Sequence, residues 1–257
     1  MFPLISEPFF YLVAVPAVVL MGLSKGGFSG LGLLSMSMLS LAVSPVKAAA
    51  IMLPILIVQD MVSVWAYRRT FDKRLLAIML PGTILGIGFG WLIAAQVSEA
   101  VVRLIVGLIS VVFVAMFWRR RPLKTEPAPV PGKPAPGVFW GAVAGYTSFV
   151  AHAGGPPFQV YVMPLRLSPA LYAGTNTMFF AATNALKTVP YLALGQFSPE
   201  NLASSAALFP IAIVATLGGV WLIQRIDATR FYMVVYGLTL LVGLGLVTDA
   251  VRELLHG

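Results

Sequence analysis

Two lysines stand inside otherwise apolar stretches of this 257-residue chain, and they have the clearest capacity for chemistry. Lys25 follows an apolar run and precedes Gly26 and Gly27, whereas Lys187 lies within a long apolar segment. A lysine taken out of water is costly unless it is paired or faces a hydrated cavity. Both lysines are therefore predicted to contact a small anion. The alternative for Lys187 is that its ammonium group reaches the surface from near the end of its segment.

Glycine-rich breaks surround Lys25 and recur around His152. Glycine leaves backbone N–H groups open to a ligand, and a helix beginning after each break adds its positive end. The breaks therefore predict an anion cradle, and the alternative is that the glycines only allow close helix packing. The residues predicted to bind one substrate anion are Ser24, Lys25, Gly26, Gly27, Ser29, His152, Gly154, Gly155, Gln159, Asn176, Asn184 and Lys187.

A polar stripe is predicted on the helix that carries Lys187. Asn176, Thr183 and Asn184 fall near one face at helical spacing, and Lys187 follows one turn later. Such a stripe on a buried helix lines a cavity or makes hydrogen bonds to neighbouring helices. Asp60 takes the position of Asn184 when the two halves of the chain are aligned. Asp60 and His152 are the candidates for carrying a coupled proton, and His152 is also a candidate oxyanion donor or structural residue.

A different chemistry is weighed against anion binding. Ser29 in Gly-Phe-Ser-Gly and His152 in Ala-His-Ala-Gly-Gly resemble the serine and histidine motifs of rhomboid intramembrane proteases, which would make a Ser/His dyad. However, the two motifs occupy corresponding places in two similar halves, and rhomboid proteases are not built in that way. The chain has no Walker A motif, which excludes ATP-driven pumping on this chain. No metal or cofactor is predicted.

Composition excludes a water-soluble domain. Hydrophobic residues make up 59% and charged residues 10%, against about 25% charged in soluble domains, and the mean hydropathy is +0.91. The absence of cysteine excludes thiol and disulfide chemistry. The net charge of +8 is expected from basic loops on one side of a membrane, so nucleic acid is not predicted as a partner.

Apolar stretches divide the chain into membrane segments. A spanning helix needs about 20 apolar residues, and six stretches meet or approach that length: 47–66, 75–95, 101–118, 170–193, 203–223 and 231–248. Four others are shorter and interrupted by glycine or proline: 9–23, 31–43, 137–150 and 156–165. No cleaved signal peptide is predicted at the start. The sequence predicts an all-α polytopic membrane protein with about eight to ten transmembrane segments, including short broken or re-entrant helices.

The same order of segments occurs twice, which predicts an internal duplication. Residues 88–93 match 218–223, and Ser-Pro at 44–45 matches Ser-Pro at 168–169. The predicted organisation is a first membrane repeat over 1–118, a basic, proline-rich cytoplasmic linker over 119–136, and a second membrane repeat over 137–257. The basic residues of 68–74 and of the linker predict the cytoplasmic side and favour inverted repeats over parallel repeats with eight crossings.

The motifs resemble the TauE/SafE family of membrane proteins. The resemblance rests on the two halves, on Lys-Gly-Gly at 25–27 and Ala-Gly-Gly-Pro at 153–156, on the Ser-Pro pairs and on the basic linker. It implies a carrier of sulfite, sulfoacetate or a related sulfonate. Lys25 and His152 do not come from the family pattern and rest on the physical argument above.

The resulting expectation is a multi-pass secondary transporter of the bacterial inner membrane that exports a small sulfur-containing anion. Alternating access would expose a midplane site between the two repeats to each side in turn. An anion channel and the intramembrane serine hydrolase are the alternatives. Protons are the candidate coupling ion, and a homodimer is a possible assembly.

Overall fold

Prolines mark the helix starts of this chain. Pro8, Pro45, Pro134, Pro169 and Pro199 each open a helix in the computed structural model of the protein. The first residue of a helix has no intrahelical acceptor for its N–H group, so proline loses nothing there and its fixed φ angle suits the helix. Ser44 and Ser198 add side-chain caps, since each hydroxyl accepts a hydrogen bond from the amide three residues later.

The structure describes residues 5, 7–28, 31–39, 41–93, 98–119, 132–193 and 198–256. Within these ranges the chain is helical and has no strand, which confirms the predicted all-α class. The helices are α1 (Pro8–Gly26), α2 (Leu31–Leu39), α3 (Pro45–Tyr67), α4 (Lys73–Ile93), α5 (Glu99–Arg119), α6 (Pro134–Ala151), α7 (Gly155–Val162), a 3₁₀ turn (Met163–Leu165), α8 (Pro169–Ala193), α9 (Pro199–Ile223) and α10 (Ala228–His256).

Five described helices are long and apolar enough to cross a membrane: Pro8–Gly26, Lys47–Tyr67, Lys73–Ile93, Pro199–Ile223 and Ala228–Leu255. Two differences from the predicted segments have physical causes. The 9–23 segment was expected to be short, but α1 continues through its glycines to Gly26. Helix α8 has 25 residues yet is too polar for this set, because buried Thr, Asn and Lys side chains interrupt its apolar surface.

The helices form two compact units, and each unit draws on both halves of the sequence. Unit 1 consists of residues 1–71 and 173–226, and unit 2 consists of 72–172 and 227–257. Unit 1 therefore contains α1, α2, α3, most of α8, and α9, whereas unit 2 contains α4 to α7 and α10. The repeats over 1–118 and 137–257, their inverted relationship and the cytoplasmic linker, most of which lies outside the described residues, stay predictions.

Glycines set a close helix contact in unit 1. A Cβ atom added at Gly26 of α1 would collide with the backbone of Gly219 on α9, and one at Gly22 would lie 2.6 Å from the Ala215 Cβ atom. Small residues four apart allow two helix backbones to approach in this way. Gly22 and Gly26 therefore serve helix packing. Close packing was the alternative to an anion cradle in the sequence analysis.

Helices α4 and α6 of unit 2 pack through a matching pair of glycine motifs. Gly82 and Gly86 of α4 face the backbone oxygens of Val138 and Ala142, and Gly141 and Gly145 of α6 face those of Met79 and Thr83. The Thr83 hydroxyl also donates a hydrogen bond to the Gly141 oxygen at 3.1 Å. The glycines of each helix thus leave room for the backbone of the other helix.

Three helices of unit 1 finish at the same end. Tyr67 at the end of α3 donates its hydroxyl to the Gly26 oxygen at 2.6 Å, and the position of a Gly27 Cβ atom lies 2.6 Å from Ile223, the last residue of α9. The start of α8 is at this end too, because Gly174 contacts the Thr70 oxygen. Helices α1, α3 and α9 therefore run in one direction and α8 in the other.

A buried charged cluster in unit 1

An ion pair is buried in the core of unit 1. Lys25, in the last turn of α1, places its Nζ atom 2.6 Å from Asp60 Oδ1 on α3. Lys25 is 7% exposed and Asp60 5% exposed. Burying either charge alone would cost far more than burying the pair, so each residue makes the other tolerable in this position.

Helix α8 brings the second half of the sequence to this pair. Asn184 donates its Nδ2 hydrogen to Asp60 Oδ2 at 2.6 Å, so both carboxylate oxygens of Asp60 are occupied by donors from different helices. Lys187 is 1% exposed and lies close enough to Lys25 and Asp60 to interact electrostatically with both. Its burial shows that it does not reach the surface, the alternative considered from sequence. We call Lys25, Asp60, Asn184 and Lys187 the charged cluster.

The charged cluster extends along the helix axes. Asp60 is seven residues before the end of α3, which is about 10 Å. Lys25 reaches it from the end of unit 1 where α1, α3 and α9 finish. Lys187 lies nearly one turn beyond Asn184 on the antiparallel helix α8, toward the opposite end. The two lysines thus belong to different levels of unit 1 along the helix axes.

Hydrogen bonds to backbone oxygens hold the first of these cations in place. Thr177 on α8 donates its hydroxyl to the Lys25 oxygen at 3.3 Å, and Tyr67 occupies the oxygen of Gly26 next to it. Gln59, beside Asp60, donates its side-chain amide to the Val18 oxygen at 3.3 Å and so ties α3 to α1. The Phe180 ring lies 5.8 Å from the Lys25 Nζ atom and adds a cation–π contact. None of these four residues was among those predicted to bind the anion.

Asn176 is another predicted residue in unit 1. It is 4% exposed, and its Oδ1 atom has no hydrogen-bond partner in the described part of the chain. Ser24 is half-buried one residue before Lys25, but its hydroxyl makes no described bond to the charged cluster. Ser29 lies outside the described residues.

The glycine amides do not form the predicted cradle. Gly27 has a φ angle of 140° and caps α1, with its amide bonded to the Ser24 oxygen at 3.1 Å. Gly26 lies inside α1 against Gly219, and the Phe28 amide bonds to the Leu23 oxygen. Because these donors complete the end of the helix, Lys25 enters the site through its side chain rather than through an N-terminal cradle.

The remaining predicted residues belong to unit 2, which is described by itself. His152 ends α6 in the left-handed conformation at φ 52°, and Gly154 precedes α7, whose first residue is Gly155. Pro156 and Pro157 carry no N–H group, so the start of α7 offers few donors to an anion. Gln159 is fully buried and accepts the Thr239 hydroxyl at 2.7 Å, while its Nε2 atom has no partner among the described residues.

Helices long enough to cross a membrane, with charged side chains paired in their interior, define a multi-pass helical membrane protein with an intramembrane ionic site. The family model described as sulfite exporter TauE/SafE matches residues 14–246, so the chain belongs to the TauE/SafE family. The family indicates a membrane transporter that exports sulfite or a related sulfur-containing anion, and it does not favour the serine hydrolase alternative. A search of curated proteins and a search of solved structures each returned no match.

Proposed function

We propose that this protein is a secondary transporter that carries a small sulfur-containing anion, such as sulfite, sulfoacetate or a related sulfonate, out across the bacterial inner membrane. The observation that carries the proposal is the charged cluster, in which the Lys25–Asp60 ion pair is buried together with a second lysine, Lys187. Buried cations of this kind replace the water around an anion. Lys25 and Asp60 come from the first half of the sequence and Asn184 and Lys187 from the second, which supports a site to which both halves contribute.

In the proposed binding step the substrate anion competes with the Asp60 carboxylate for its hydrogen-bond donors. In the structure the Asp60 carboxylate accepts from Lys25 and from Asn184, at 2.6 Å each. A sulfur oxyanion has the same kind of acceptor atoms and would compete for these donors, with Lys187 as a further cation. Substrate and Asp60 would then share the two lysines. Two of the side chains that would hold the anion, Lys25 and Asn184, already pair with Asp60 in the structure.

Export needs no further energy source for an anion. With the cell interior negative, each negative charge that leaves gains about 2.3 kcal/mol per 100 mV of membrane potential. Alternating access, in which the site opens to one side at a time, would make this a carrier. Asp60 is the stronger candidate for a coupled proton because it lies in the charged cluster, whereas His152 belongs to unit 2.

Purified protein in proteoliposomes is expected to move sulfite with saturating kinetics. Efflux should be faster with an inside-negative potential and should show counter-exchange when unlabelled substrate is added on the other side. A carboxylate of similar size is the substrate control, and empty liposomes correct for leakage. Equal fluxes of all anions without counter-exchange would contradict the carrier and favour a channel. Movement of the carboxylate alone would contradict the assignment of a sulfur anion.

The orientation of unit 1 follows from its charges. The end where α1, α3 and α9 finish carries Arg68, Arg69 and Arg225, and the opposite end carries the Lys47–Glu200 ion pair at 3.1 Å. The positive-inside rule places the arginine end in the cytoplasm. Arg68 and Arg225 also stack on the exposed rings of Trp65 and Trp221, as expected at a membrane interface.

Cysteine labelling can test this orientation directly, because the chain contains no cysteine of its own. An Arg69→Cys variant is expected to react with a membrane-impermeant maleimide only after the cells are permeabilised. A Gln196→Cys variant, at a position outside the described residues, is expected to react in intact cells. Labelling of both variants only after permeabilisation would instead support the parallel, eight-crossing arrangement.

A further inference from the structure

Only three charged side chains are buried in the described part of the chain, and all three belong to the charged cluster. They are Lys25, Asp60 and Lys187, at 7%, 5% and 1% exposure. Other described ion pairs, such as Lys47–Glu200 and Arg103–Glu253, involve partly exposed side chains. The buried interior therefore holds two lysines against one carboxylate, which is an excess of one positive charge when both lysines are protonated.

We propose that this imbalance makes the transporter selective for singly charged anions. The proposal rests on the proposed function and specifies its substrate class. When an anion is bound, its charge favours the protonated form of both lysines. Lys25, Lys187, Asp60 and a monoanion then sum to zero, whereas a dianion leaves one negative charge without a partner. An unpaired buried charge is strongly disfavoured, so the neutral combination is the one that binds.

Charge selection matters for sulfur oxyanions because they differ in charge more than in size. Sulfite is a mixture of hydrogensulfite and the sulfite dianion near neutrality, sulfate is a dianion, and a simple alkylsulfonate is a monoanion throughout. The site would therefore take hydrogensulfite and monovalent sulfonates. It would reject dianions, which include sulfate and also sulfoacetate with its additional carboxylate, so the proposal removes sulfoacetate from the substrates of the proposed function. Apparent affinity for total sulfite should fall as the pH rises above neutrality, while affinity for methanesulfonate serves as the control for changes in the protein.

The test is a series of variants that changes the charge of the cluster in steps. Methanesulfonate and sulfate are the probes, because both are compact tetrahedral oxyanions of different charge. Dissociation constants are measured by calorimetry on the purified protein at constant ionic strength. The wild type should bind methanesulfonate at least about tenfold more tightly than sulfate, the ratio expected when like charges meet at low dielectric.

Each variant has its own expected preference. Asp60→Asn adds one net positive charge and should favour sulfate. The dissociation constant for sulfate divided by that for methanesulfonate should fall by at least about tenfold. Lys187→Met removes the excess cation and should weaken binding of both probes by at least about tenfold. Combining Asp60→Asn with Lys187→Met restores an excess of one positive charge in the cluster. This double variant should again prefer methanesulfonate.

Matched controls come from the ion pair at the other end of unit 1. Glu200→Gln and Lys47→Met make the same changes of net charge outside the buried cluster and should leave the ratio unchanged. Equal binding of both probes by the wild type, or an unchanged ratio in a folded Asp60→Asn variant, would overturn the proposal. If Asp60→Asn does not fold, the wild type and the double variant still decide it. Failure of the wild type to move sulfite in proteoliposomes would instead count against the proposed function.

Discussion

Replacing Lys25 with methionine is expected to abolish anion transport and to reduce the stability of the protein. Lys25 supplies one of the two cations for the anion and is the ion-pair partner of Asp60 at 2.6 Å. Without it, Asp60 remains as a buried carboxylate with the Asn184 amide and the more distant charge of Lys187. Removing one partner of a buried ion pair costs about 3–5 kcal/mol. Proteoliposome flux and thermal unfolding in detergent measure the two effects separately.

A second variant separates the loss of binding from the loss of folding. Lys25→Met combined with Asp60→Asn leaves no unpaired carboxylate, so its thermal stability should recover most of the way to that of the wild type. Its transport should not recover, because Lys187 is then the last cation of the cluster and the Lys25 donor is still missing. Lys47→Met, in the exposed pair with Glu200, is the control with the same change of residue type. Normal flux through Lys25→Met would remove Lys25 from the site.

Replacing Gly82 with valine is expected to prevent unit 2 from folding correctly. A Cβ atom at Gly82 would collide with the Val138 backbone oxygen of α6, and a valine adds two methyl groups beyond it. Side chains can move aside, but a backbone oxygen inside a helix cannot move without separating α4 from α6. Overpacking that moves the backbone costs about 1–3 kcal/mol or more. Size-exclusion chromatography of a fluorescent fusion would show the loss as aggregated protein.

The control for this prediction lies on the same helix. Gly88 of α4 has nothing within 4 Å of an added Cβ atom, so Gly88→Val changes helix propensity and lipid contact without a collision. It should elute as a single species like the wild type. Gly82→Val protein that elutes in the same way and unfolds at the same temperature would show that α4 and α6 are not packed as closely as described.

Several properties of this protein were predictable from sequence because they depend on local chemistry. Apolar segments and their basic flanks predicted an all-helical membrane protein, which the described residues confirm. Lys25 and Lys187 were singled out because a lysine among apolar residues requires a partner, and both are in fact buried. The predicted stripe on α8 is also buried, since Asn176, Thr183 and Asn184 are each at most 4% exposed.

The glycines of the first predicted break have two different roles that share one sequence pattern. The helix does end beside Gly27, but Gly22 and Gly26 lie inside α1, where a glycine often marks the approach of another backbone. The partner that distinguishes these roles is Gly219, almost two hundred residues away in the sequence. No local pattern around Lys25 contains that information, so α1 was predicted to end too early.

The sequence by itself determined which residues are expensive to bury and which segments must cross the membrane, because both follow from the transfer of side chains out of water. It could not determine which of these residues contact one another in the folded protein. Asp60 was predicted as a proton carrier, and only the crossing of α1, α3 and α8 in unit 1 shows that it is the shared partner of Lys25 and Asn184. An ion pair depends on distances of a few ångströms between separate helices, and these distances are decided by tertiary packing.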